Sequence, residues 1–162
     1  MTGRGCVFAV LSHVFSMESD RVADLCRSLL ERRGYSSVSH SILKFDVVIP
    51  LIEACALESG GRLLRMEPRH FGADPSAVPA YLDACLHRLR RRREARCLLV
   101  RAAPGWRDLD APLSHAVLLE PLGSRPGGPY VQHCAQTRSL QPMDADMVSD
   151  VLVYALWFEV GR

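Results

Sequence analysis

The chain contains no CxxC pair, although it carries six cysteines (Cys6, Cys26, Cys55, Cys85, Cys97 and Cys134). Their wide, uneven spacing excludes the dense disulfide scaffold of a small secreted domain, so most are expected to be reduced, buried thiols. The six histidines are equally scattered, and without tight ligand spacing the sequence predicts neither a metal site nor a cofactor. No run approaches the roughly 20 uninterrupted apolar residues that a membrane span requires. The opening "MTGRGCVFAVLSHVFSMESD" also lacks the basic start and small-residue cleavage site of a secretory signal. A soluble, cytoplasmic protein with no membrane partner is the expectation. A net charge of only +2 does not announce a nucleic-acid binder.

What is present is the balance of one compact domain. Of 162 residues, 48% are hydrophobic and 23% charged, enough for a sizeable core in a single unit spanning residues 1–162. The charge is local: "HRLRRRREAR", His87 to Arg96, holds six arginines in ten residues. Such a run is most simply a solvated helix face, and otherwise a phosphate-contacting patch or a docking surface for an acidic peptide. Trp106, Trp157, Tyr81 and Tyr130 are not interleaved with these arginines as base-stacking platforms would be, which makes nucleic acid the less favoured partner.

Hydrophobic spacing predicts helices first and strands later. Val7, Val10, Leu11 and Val14 recur at helical period, as do Val22, Leu25, Cys26, Leu29 and Leu30 after a break near "SMESD", where Ser19 or Asp20 is the expected cap and Gly34 the stop. "DVVIPLIEACALESGG" reads as a helix with Pro50 in its first turn, "GRLLRMEP" as a strand, and "AYLDACLHRLRRRREA" as a helix with its apolar stripe opposite the arginines. "RCLLVRA", "HAVLLEPL" and "PYVQHCAQT" read as strands, the last two joined as a hairpin through "GSRPGG". "DMVSDVLVYALWFEV" reads as a short helix running into a final strand. The expected class is α+β, with the N-terminal helices packed on a mostly antiparallel sheet.

One placement in this order carries chemistry. Cys6, between glycines and an apolar run, falls at the N-terminal end of the first helix, where unpaired N–H groups and the helix dipole favour a thiolate. His115 begins a distant strand and is a candidate base, and the strand "YVQHCAQTRS" offers Gln132, His133 and Gln136 to orient its imidazole. The plain alternative is a buried thiol and a histidine satisfied by a backbone carbonyl.

"GRGCVFAVLSHVF", "LLERRGYSSVSHSILKFDVVIPLIEACA", "SHAVLLEPLG" and "YVQHCAQTRSLQPMDADMVSDVLVYALWF" together resemble, in matching order, the actin maturation protease family, a papain-like group of cysteine aminopeptidases similar to the C39-type peptidases. The resemblance implies a papain-like fold and removal of the acetylated N-terminal Met or Cys of immature actin, with no cofactor. It implies Cys6 as nucleophile, His115 as general base and Gln136 as the third residue. Trp106, in the segment "APGWRDLDAPLS", is then a candidate pocket-lining residue, and Arg91, Arg92 and Arg93 are candidates to attract the acidic actin terminus. Two features depart from the family. "MTGRG" contains no counterpart of the glutamine that donates to the oxyanion, and Val7 replaces the small residue usual after the cysteine. Other expectations therefore stand beside the peptidase: an inactive relative or a truncated chain, a non-catalytic interaction or nucleic-acid-binding domain using Arg88 to Arg96, and a papain-like hydrolase of another substrate.

Overall fold

A computed structural model describes residues 3–34, 45–72, 74–102, 113–121, 130–134, 139–143 and 152–161. Helices α1 (Gly3–Phe15), α2 (Ser19–Arg32) and α3 (Phe45–Glu58) precede strand β1 (Arg62–His70). A 3-10 turn at Pro75–Ala77 leads into α4 (Val78–Leu89), followed by β2 (Ala95–Ala102), β3 (Leu113–Pro121), β4 (Tyr130–Cys134), β5 (Ser139–Met143) and β6 (Leu152–Gly161). The six strands form one sheet in the order β1-β6-β2-β3-β4-β5, and every pairing is antiparallel. The expected combination of early helices and a later antiparallel sheet is what the chain forms. The expected hairpin is there too, with Pro121 of β3 opposite Tyr130 of β4.

The sheet is covered on both faces, which explains why its central strands read as continuous apolar runs. Leu98 and Val100 of β2, Ala116 and Leu118 of β3, and Leu156 and Phe158 of β6 enter a core shared with α1, α2 and α3. The alternate residues Cys97, Leu99, Val117, Leu119, Ala155 and Trp157 enter a second core with Phe71 and α4. The two-residue period is broken once in β6. Val100 pairs with Tyr154 but Arg101 with Leu152, so Val153 is an extra residue, and its carbonyl accepts from the Phe71 N–H at 2.8 Å.

Local departures from the sequence expectation have physical causes. The residue capping α2 is Glu18, without a side-chain cap hydrogen bond, and neither Ser19 nor Asp20 takes that place. Pro50 lies in the interior of α3 rather than its first turn, where it withholds the N–H that the Asp46 carbonyl would otherwise accept. The Arg33 guanidinium donates to that carbonyl instead. Helix α4 stops at Leu89, short of the predicted "RRREA", because Ala95 is already paired with Glu159 at the start of β2. The strand predicted in "PYVQHCAQT" forms as β4, and a further strand beyond it, β5, was not predicted and pairs with β4. At the C-terminal end Leu152–Gly161 is strand, and the short helix expected before it falls outside the described residues.

Candidate functional site

Helix α1 begins in a glycine-flanked turn and then buries Val7, Val10 and Leu11 completely. Cys6 therefore occupies the first turn of a helix anchored in the core, beside N–H groups that have no intrahelical acceptor. Helix α1 packs against β3, where His115 is the third residue and pairs with Arg101 near the end of β2. The other end of α1 gives its direction: Val14, Phe15 and Ser16 share a cleft with Arg93, Glu94 and Arg96 at the start of β2 and with Val160 and Gly161 at the end of β6. The N-terminal turn of α1 thus points to the pole of the sheet at which β2 ends and β3 begins. The backbone brings the positions of Cys6 and His115 to one pole.

Strand period adds a condition. Ala116 and Leu118 belong to the core under α1, Val117 and Leu119 to the core under α4. Uninterrupted alternation would assign position 115 to the second set, on the face away from α1. Next to this position the β2–β3 register shifts, between Arg101 and Ala102. His115 keeps its register with Arg101 as Ala116 does with Val100, and the extra residue is Ser114.

Gln136 and Trp106 lie outside the described residues. Of the alternative orienting residues, His133 is opposite Leu118 and Gln132 opposite Leu119, both toward the middle of the sheet. Arg91, Arg92 and Arg93 stand in the turn between α4 and β2. That turn leads into the start of β2, whereas His115 pairs with Arg101 near its end. The five steps of strand from Arg96 to Arg101 span about 17 Å, and α4 packs on the face opposite α1.

Much of the arginine run is held by the fold itself. Glu159, only 4% exposed, receives Arg92 at 2.8 Å and Arg65 at 3.2 Å. Arg88 bridges to Glu67 at 2.8 Å while its guanidinium lies 3.9 Å from the centre of the Trp157 ring. Arg96 donates to the carbonyls of Arg93 and Ala95. Arg88 is therefore not on a solvated face opposite the apolar stripe but half-buried above the second core. Sequence reasoning missed Glu159 as the acceptor that organises this end, because in "LWFEV" it reads only as the polar tail of an apolar strand.

Cys26, Cys55, Cys85 and Cys97 are free and buried, as expected of core residues. Burial pushes the Cys26 thiol up to about 11 and that of Cys55 up to about 12. Cys85 and Cys97 meet between α4 and β2. Their mutual hydrogen bond lowers the Cys85 thiol and raises that of Cys97. Among the described residues there is no group of three histidine, cysteine or carboxylate side chains able to hold a metal, and no helix long and apolar enough to cross a membrane. Comparison with protein-family models, curated proteins and solved structures finds no match to this chain.

Proposed function

We propose that the chain is a papain-like cysteine aminopeptidase that removes the acetylated N-terminal Met or Cys of immature actin. The chemistry is supported by one observation: the helix turn that carries Cys6 and the strand start that carries His115 share a pole, with α1 packed against β3. The substrate rests on the sequence resemblance alone. Cys6, as thiolate, attacks the carbonyl of the acetylated first residue, and the Cys6 N–H donates to the developing oxyanion. His115 protonates the leaving amine, a thioester remains on Cys6, and water hydrolyses it to release the acetylated amino acid. Gln136 accepts from the imidazole N–H and fixes the ring.

The test is incubation with an N-acetyl-Met peptide that continues in an acidic sequence, following release by mass spectrometry. Acetyl-methionine should appear with the wild-type protein and fall by about a thousandfold or more in Cys6→Ala and in His115→Ala. Absence of release, or release at the same rate by Cys6→Ala, rejects the peptidase.

A further inference from the structure

The cleft at the C-terminal end of α1 lies at the opposite pole of the sheet, away from Cys6. It is an open cleft of about 620 Å³, within the size range of pockets that take small organic ligands. Ten residue steps lead from Cys6 to Ser16 at its lip, about 15 Å along the helix direction. Its apolar wall is Val14 and Phe15 from the end of α1, Leu64 of β1 and Val160 of β6. Leu64, the extra residue where the β1–β6 register shifts between Leu63 and Arg65, is 54% exposed in a strand whose other exposed residues are Arg62, Arg65, Glu67, Pro68 and Arg69.

Charge is confined to one side of this cavity. Arg93, Glu94 and Arg96 line it together, two cations against one anion. Arg96 is pinned through Nη1 to the carbonyls of Arg93 and Ala95, at 2.7 and 2.8 Å, which leaves its other N–H groups for a ligand. Among the described residues no carboxylate bridges to Arg93. A net single positive charge beside an apolar wall suits a monoanion, whereas a polyphosphate would meet Glu94 without enough compensating cations.

Backbone geometry marks the same place. Ser16, at the cavity lip, has φ of +51°, the one positive φ outside glycine among the described residues. This left-handed residue ends α1, with the Met17 N–H returning to the Ser12 carbonyl at 3.1 Å, and so fixes the direction in which the chain leaves the helix at the lip. Gly61 lines the wall, and a Cβ there would stand 2.7 Å from the Gly161 carbonyl oxygen. The close approach of the two backbones shapes the cavity.

We propose that this cavity binds a medium-chain monocarboxylate, with its chain against Val14, Phe15, Leu64 and Val160 and its carboxylate on Arg93 and Arg96. The site does not depend on Cys6 or on peptidase activity. Isothermal titration of the purified chain with monomeric decanoate should show saturable one-site binding, at least tenfold tighter than with decan-1-ol. Arg93→Ala should weaken decanoate about tenfold and leave decan-1-ol unchanged. Leu64→Asp, which sets a carboxylate on the wall, should abolish decanoate binding while circular dichroism remains native. Equal affinity for acid and alcohol overturns the proposal, as does unchanged decanoate binding in both variants. Tighter binding of a peptide that ends in a free C-terminal leucine assigns the cavity to a chain terminus and overturns it equally.

Discussion

Glu67 shows how a single side chain couples this fold to pH. The Arg88 guanidinium donates to it, and with Arg65 alongside, its carboxyl is held below the ordinary value of 4.5. A depressed folded value means that the stabilisation is fully present above the unfolded value and is lost as pH falls through the folded one. Glu67→Gln should therefore flatten the decline in stability below about pH 4.5, read from urea midpoints across pH. At neutral pH it should cost only about 0.5–1 kcal/mol, because an exposed pair is screened by solvent. Glu159 differs in kind. It is buried, and Arg65 and Arg92 approach it from opposite flanks. Its presence there was not legible in the sequence, since burial of a carboxylate depends on which cations the tertiary fold delivers. The buried thiols were legible, because wide spacing and apolar neighbours already argued for core.

Helix α3 tolerates Pro50 through a contact that spans two elements. The proline removes one donor, and Arg33 at the end of α2 supplies another to the Asp46 carbonyl. Arg33→Ala should destabilise the chain by about 1 kcal/mol, measured by chemical denaturation. In a Pro50→Ala background the helix regains its own N–H, and the same Arg33→Ala change should cost less than half as much. Helices α1 and α2 and the hairpin β3–β4 were readable from period and turn residues, because those signals are local. The end of α4 was not. Nothing in "RRREA" itself stops a helix; the stop comes from β6, which pairs with Ala95. β5 was missed for a similar reason, being five residues whose strand character comes from pairing with β4.

At the scale of the molecule, one antiparallel sheet separates two cores, and β6 contributes to both. Trp157 is fully buried in the second core under the Arg88 guanidinium. Trp157→Ala should cost about 3–5 kcal/mol through the cavity that it leaves, seen as a lowered melting temperature. Trp157→Phe keeps most of the ring and should cost less than half of that. The two poles of the sheet then divide the candidate chemistry, with Cys6 and His115 at one and the arginine-rimmed cavity at the other. The sequence by itself determined the order of helices before strands, the apolar faces and the position of Cys6 in a first helical turn, because these follow from local period and from residues that start and stop elements. Only the tertiary structure decided that α4 covers the face opposite α1, that Arg88 and Arg92 bind carboxylates of the fold, and that the arginine turn stands apart from His115. Those outcomes depend on strand order and on contacts between residues far apart in the chain, and no local pattern encodes them.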